Sequence, residues 1–383
     1  MIPEELSNDF PTIKQVNYLS TASIGLVPEP VIRKTQDFFT EMAREGTLAL
    51  DEEKEVMVYE NLRKEGSHLL NCNPEDIAVF NSVSEALNSI AWSLELEEEK
   101  GKLVSTEIEF PSVSYPLIRI AEKKDITVKM IKAKNWNISL DNILREIDET
   151  TKVIFITHVE FLTGQQHNIK KITEHAHNFG SLVVVDGIQA AGYIPLDVRK
   201  AGVDVYITGS YKWLLAPFGT AIAYISKELY DILTPAFVGW RSSENMWDFN
   251  AVELKYPPTA MKFEYSTSAY GVKIGLAESI RYLRTIGINN IYNHNMKLVK
   301  LLIDELRKIK NVNIVTPEEK GSIITFTIRD KDLRKVGEQL KELNRPIEVS
   351  IRQNMMRISL HVYNTEEDVM HFIENLKESI RKD

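Results

Sequence analysis

The sequence is short of several things, and each shortage removes a class of function. It has one cysteine, Cys72, in 383 residues, which excludes an internal disulfide framework and a multi-cysteine metal site. Such usage fits a reducing compartment. No apolar run approaches the length that crosses a bilayer. The opening Met1-Ile2-Pro3-Glu4-Glu5 is acidic where a signal peptide is basic. A soluble, cytoplasmic protein without a membrane partner is expected. Basic charge is scarce as well: 46 Lys and Arg against 55 Asp and Glu leave a formal charge of -9. With no basic stripe to follow a phosphate backbone, no nucleic-acid partner is expected. Neither G-x-G-x-x-G nor G-x-x-x-x-G-K-[ST] occurs, so the common nucleotide-binding signatures are missing.

What remains is an ordinary globular composition and a clear order of elements. Apolar runs rich in β-branched residues fall at 77–80, 103–105, 128–131, 153–157, 182–185, 203–208 and 221–225, with helical patterning between most of them. That alternation predicts an α/β fold whose large domain carries a mainly parallel, seven-stranded sheet. Ahead of it, one helical pattern runs from Val31 to about Leu70, with Phe38, Phe39, Met42 and Leu48 on its apolar side. Residues 248–258 read as a loop, and 269–309 as a long helical region interrupted near Gly287. The remainder reads as a smaller α+β C-terminal domain, with strands near 323–328, 347–351 and 356–360. The expected division is an N-terminal arm over 1–22, a large domain over 23–275 and a small domain over 276–383.

Two stretches carry the chemistry. Val183-Val184-Val185-Asp186-Gly187-Ile188-Gln189 delivers a carboxylate at a strand's end, and Thr208-Gly209-Ser210-Tyr211-Lys212-Trp213 delivers a lysine into a turn. Ligands of parallel sheets bind at the carboxyl ends of strands, where both residues fall. A buried carboxylate and a buried lysine are each costly unless something organic lies between them. Pyridoxal 5'-phosphate is such a group, with a ring nitrogen that needs an acid and an aldehyde that forms a Schiff base with a lysine. Taken singly, Asp186 could cap a turn and Lys212 could be solvated.

Other stretches carry the same double meaning. In Asn81-Ser82-Val83-Ser84-Glu85, a helix start can hold a phosphate with the Ser84 hydroxyl, or Ser84 can cap the helix with Ser82 in the turn. Phe110, in Glu109-Phe110-Pro111-Ser112, can cover a planar ring or join the core. Arg357 lies in an apolar strand, suited to a carboxylate or to a structural ion pair, and Arg352 shares that ambiguity. His158 is either near the site or structural. His175 and His177, two apart on a helix, face apart and read as solvated rather than metal-binding.

In combination these motifs resemble the class V aminotransferase family, the fold-type-I pyridoxal phosphate enzymes that include cysteine desulfurases, kynureninase and isopenicillin N epimerase-like proteins. The resemblance runs from Tyr18-Leu19 to Tyr363-Asn364-Thr365, and its core is the Asp-Gly-x-Gln block set 26 residues before the lysine. It implies Lys212 as the Schiff-base lysine, Asp186 as partner of the ring nitrogen and Gln189 as partner of the phenolic oxygen. It further implies the backbone of Val83, with Ser84 and Tyr211, at the phosphate, Phe110 stacked on the ring, and Arg357 at the substrate α-carboxylate. Phe263-Glu264-Tyr265-Ser266-Thr267 resembles the block whose threonine reaches the phosphate of the neighbouring subunit, so a homodimer is implied.

Departures from the family pattern narrow the activity. Desulfurases carry a nucleophilic cysteine just before the Arg357 strand, where this chain reads Ser350-Ile351-Arg352-Gln353-Asn354-Met355. Cysteine desulfuration is therefore not expected. Phe161 stands where many relatives have asparagine, and Val113 weakens a kynureninase assignment. Glu160 either touches a substrate amine or faces solvent. The resemblance implies a pyridoxal phosphate enzyme acting on a small amino acid, foremost an aminotransferase. Epimerase-like or kynureninase-like chemistry, and a binding module without catalysis, are the alternatives.

Overall fold

The computed structural model describes residues 4–96 and 101–382. Its strands, in chain order, are β1 (Asn17–Tyr18), β2 (Ile77–Phe80), β3 (Lys102–Thr106), β4 (Thr127–Ile131), β5 (Thr151–Thr157), β6 (Leu182–Asp186) and β7 (Val205–Gly209). They continue with β8 (Ala221–Ile225), β9 (Val312–Ile314), β10 (Ile323–Ile328), β11 (Ile347–Glu348), β12 (Ser350–Arg352) and β13 (Met355–Ser359). Seven of them form one sheet in the order β2-β8-β7-β6-β5-β3-β4. Only β8 runs against the rest. All the expected apolar runs of the first half thus lie in this sheet.

The sheet is buried on both faces, which is why its strands read as continuous apolar runs rather than alternating ones. Val183 and Val185 of β6 enter one core with Leu62, Ile172 and Leu276. Val184, between them, enters the other with Leu87, Ile90, Leu117 and Ile207. The helices Glu52–Leu70, Ile169–His177 and Tyr270–Ile286 cover the first face, and Val83–Ser93 with Pro111–Lys124 cover the second. Because β2, β3, β5, β6 and β7 are parallel, residues just after each of them gather at one edge.

A four-stranded sheet in the order β12-β13-β10-β9 follows. It packs on the helices Ile288–Leu306, Leu333–Lys341 and Glu366–Lys382 through Leu302, Val336, Ile358 and Phe372. The lead-in is tied to this part: β1 pairs with β11, Leu19 enters the same core, and Ser20 bridges to Ser359. The expected boundary at 275/276 falls inside the helix Tyr270–Ile286. We propose that the chain divides within that helix.

One element differs from expectation. The helical pattern over 31–70 is two helices, Glu29–Glu45 and Glu52–Leu70. Gly46, at φ +54°, ends the first, and the Asp51 side chain accepts from the Lys54 N–H at 2.9 Å to start the second. Of the expected apolar side, Phe38 packs on the core and Met42 is half-buried, while Phe39 is 52% and Leu48 79% exposed.

Candidate active site

The strand-end edge carries a cavity of about 280 Å³ lined by Asp186, Lys212, Val83, Ser84, Phe110 and Tyr211, among others. Asp186 closes β6 with its side chain on the face of Val184. Its Oδ1 accepts from the Ile188 N–H at 2.9 Å. Burial pushes the carboxyl up to about 6, although that hydrogen bond and the Lys212 charge pull it down. Gly187 must be small, because a Cβ there would lie 2.2 Å from the Tyr206 ring.

Lys212 is 7% exposed, and burial lowers its amine to about 8 against the opposing pull of Asp186. Its Nζ lies 5.6 Å from the centre of the Phe110 ring and 5.7 Å from that of Tyr211. The Tyr211 ring stacks on Phe218 at 4.3 Å. The lead-in presses on this turn: Gly25 N–H donates to the Tyr211 carbonyl at 2.8 Å. A Cβ on Gly25 would stand 2.0 Å from the Lys212 carbonyl oxygen, so the approach requires glycine.

At the start of the helix Val83–Ser93, Ser82 is the cap, accepting from the Glu85 N–H at 3.0 Å. Ser84 is therefore released from capping, and its hydroxyl meets that of Ser112 at 2.8 Å at the cavity wall. A free helix start beside a hydroxyl is a good anion cradle. Phe110 is 45% exposed and meets Phe161 edge-on at 5.3 Å, so it lies at the cavity wall and not in the core.

Three of the expected residues, Gln189, Thr267 and Arg357, stand outside the lining. Gln189 Oε1 accepts from the Trp213 indole at 2.7 Å, and its amide donates to the Ala22 carbonyl at 3.1 Å. Thr267 is exposed, and its hydroxyl accepts from the Trp240 indole at 3.3 Å. Arg357 is 2% exposed. Its guanidinium donates to the Phe161 carbonyl, to Ser23 Oγ at 2.7 Å and to Ser350 Oγ at 3.4 Å, and its Nε has no partner. Burial, then the Arg352 charge, lowers it to about 10. Among the described residues no carboxylate pairs with it.

The sequence reading did not find a buried acid group behind this edge. Glu109, after β3, accepts from the Thr157 N–H at 2.8 Å, and Glu160, after β5, meets His167 Nε2 at 3.1 Å. Each keeps a second buried oxygen without a partner. Burial raises both carboxyls well above their usual range, and each is further raised by acidic neighbours, Glu160 and Asp186 for Glu109, Asp186 for Glu160. Glu160 does not face solvent. His158 is structural: its Nδ1 meets the Tyr206 hydroxyl at 3.1 Å, and burial lowers it to about 3. His175 and His177 bond the Leu144 carbonyl and Asp204 separately, and no metal-holding group occurs among the described residues.

A lysine and an acid sharing one cavity, with an anion cradle and an unpaired arginine beside it, match a known arrangement. The sequence model of aminotransferase class-V fits residues 17–372. The chain belongs to the class-V aminotransferase family. It is 30% identical over 377 residues to an uncharacterized aminotransferase, YcbU, of Bacillus subtilis, covering 98% of this chain and 97% of that one. It is 28% identical to a protein of Pyrococcus abyssi named probable cysteine desulfurase, covering 99% and 98% of the two chains. In fold it resembles the apo cysteine desulfurase of Thermococcus onnurineus NA1, with a TM-score of 0.90, 24% identity, and 100% and 99% of the chains covered. Several relatives thus bear the desulfurase name, which runs against the expectation that desulfuration is not the activity.

Pyridoxal phosphate is the cofactor of this family, and the cavity fits it. Beyond the acid, the amine and the helix start, the Thr220 hydroxyl lines the cavity and is buried with no partner, as a phosphate-facing hydroxyl would be. No helix is long and apolar enough to cross a membrane among the described residues.

Proposed function

We propose that this class-V pyridoxal phosphate enzyme is an aminotransferase acting on amino acids. The observation that carries the reading is the buried Lys212 amine in one cavity with the buried Asp186 carboxyl. When bound, the cofactor supplies an electron-withdrawing ring conjugated to the substrate's nitrogen. Asp186 keeps a proton on the ring nitrogen. Lys212, with an amine that is easily deprotonated near neutral pH, takes the proton from the substrate α-carbon and redelivers it. Val83 N–H, Ser84 and Tyr211 hold the phosphate, Phe110 covers one ring face, and Arg357 binds the α-carboxylate. Gln189, behind the lining, would hold the phenolic oxygen only through the amide hydrogen that Ala22 does not take.

Thr267 is proposed to complete the site of a second copy, since it points to Trp240 and not into its own chain's cavity. Exposed Phe237, Val238, Val252 and Leu254 flank that region and supply apolar area for such a contact. Sedimentation of the holoenzyme is expected to show a dimer, and an active monomer contradicts the assignment.

The relatives' names make desulfuration the second reading. Burial raises the Cys72 thiol to about 12, and its charged neighbours are Asp76, Asp197 and Arg199, away from the cavity. A single-turnover panel of amino acids that includes cysteine separates the two. Accumulating pyridoxamine phosphate with release of an oxo acid supports transamination. Alanine from cysteine, with its sulfur recovered as sulfide only when an added thiol supplies two electrons and with the cofactor unchanged, overturns it in favour of desulfuration. Loss of α-hydrogen label with neither outcome overturns it in favour of racemase or epimerase chemistry.

A further inference from the structure

The hairpin that carries Arg357 carries a second arginine on the same face. β12 and β13 are antiparallel, with Ser350 opposite Arg357 and Arg352 opposite Met355. Directly opposed residues share a face of the sheet, as do residues two apart on one strand. Ser350, Arg352, Met355 and Arg357 therefore point the same way. It is the way to the site: the Ser350 hydroxyl meets Ser23 Oγ at 2.7 Å, and Arg357 reaches the Phe161 carbonyl beside Phe110.

Arg352 stands two positions nearer the hairpin turn, which Gln353 and Asn354 make at φ +51° and +57°. It is exposed, and among the described residues it has neither a carboxylate partner nor a hydrogen bond. Its charge bears on both the Arg357 guanidinium and the Lys212 amine. Two arginine charges thus bear on the Lys212 amine from the side of the hairpin. Asp186 answers Lys212 from the cofactor's side, and no acid of the described chain pairs with either arginine. Like charges on one side of a site repel, and an anion is the natural occupant. One carboxylate satisfies Arg357 and leaves Arg352 over.

We propose that Arg352 receives a second acidic group, so that the substrate is a dicarboxylic amino acid. This rests on the amino-acid-binding reading of the cavity and adds its side-chain class. The α-carboxylate lies on Arg357, and the side-chain carboxylate lies towards the hairpin turn on Arg352.

The test uses unreactive acids on the cofactor-loaded enzyme. Succinate and glutarate are compared with propionate and butyrate, by the change each causes in the cofactor's visible absorbance and by calorimetry. At low ionic strength one of the diacids is expected to bind about tenfold tighter than the monoacid that lacks its second carboxyl, propionate for succinate and butyrate for glutarate, and added salt narrows the gap. R352Q is expected to collapse the gap by weakening the diacid, and R352K to restore part of it. Diacids and monoacids that bind alike, or a gap that survives in R352Q, overturn the assignment. A holoenzyme that shows no gap yet still forms pyridoxamine phosphate loses only the Arg352 proposal. A protein that takes up no cofactor loses both.

Discussion

The Gln189 side-chain carbonyl accepts a hydrogen bond from the Trp213 indole N–H at 2.7 Å. That contact joins the residue three beyond Asp186 to the residue directly after Lys212. Through the Gln189 amide and the Ala22 carbonyl, at 3.1 Å, it also fixes the lead-in segment against both. The acid and the amine of the site are thus registered on each other by buried groups that belong to neither. His361 adds a further tie, meeting the Trp213 carbonyl through Nε2 at 3.0 Å.

Removing the indole donor tests this registration. Trp213→Phe leaves Gln189 Oε1 buried without its partner, a change that costs about 1–3 kcal/mol besides the packing lost with the smaller ring. The variant is expected to melt below the wild type and to release pyridoxal phosphate faster in dialysis. An unchanged melting temperature with unchanged cofactor retention contradicts the role given to the pair.

Asp186 gives a prediction with a definite sign in pH. Its folded value of about 6 lies above its ordinary 3.8, because burial penalises the charged form. Without cofactor, the folded state then holds this proton to higher pH than the unfolded state does. Stability therefore falls as pH rises from about 4 to about 6, and the full penalty persists above that. Asp186→Asn removes the penalty and keeps the Ile188 hydrogen bond. Cofactor-free Asp186→Asn is expected to exceed the cofactor-free wild type at pH 8 by on the order of 2 kcal/mol in urea unfolding, with the gain fading towards pH 4. The same variant is expected to be nearly inactive when loaded. A variant that is less stable than wild type at pH 8 contradicts the account of Asp186.

Much of this site is legible in the sequence, for a physical reason. Strands buried on both faces read as apolar runs, and a charged residue at the end of such a run stands out, as Asp186 does after Val185. Lys212 stands out likewise, in a turn between two runs. What side chains do across the fold is not legible. Ser82 and Ser84 are equally good caps by type, and only the helix's actual start shows that Ser82 caps while Ser84 is free. The same holds for Glu109 and Glu160, whose burial depends on strands β3 and β5 lying side by side although 49 positions separate the strands' first residues. Gln189 and Trp213 both lay in the motifs, yet their bond depends on the turns after β6 and β7 folding onto each other. The break at Gly46 to Asp51 was readable from a glycine and a capping aspartate, but the helical period on either side overrode them.

The measurement that tests the account most directly is the spectrum of the protein loaded with pyridoxal phosphate. A lysine-bound cofactor gives a visible band that reduction with borohydride fixes to the chain. The account predicts that band, a reduced adduct on Lys212 in the peptide map, and loss of both in Lys212→Ala. A protein that stays colourless with excess pyridoxal phosphate, or an adduct found on another lysine with the band intact in Lys212→Ala, contradicts it.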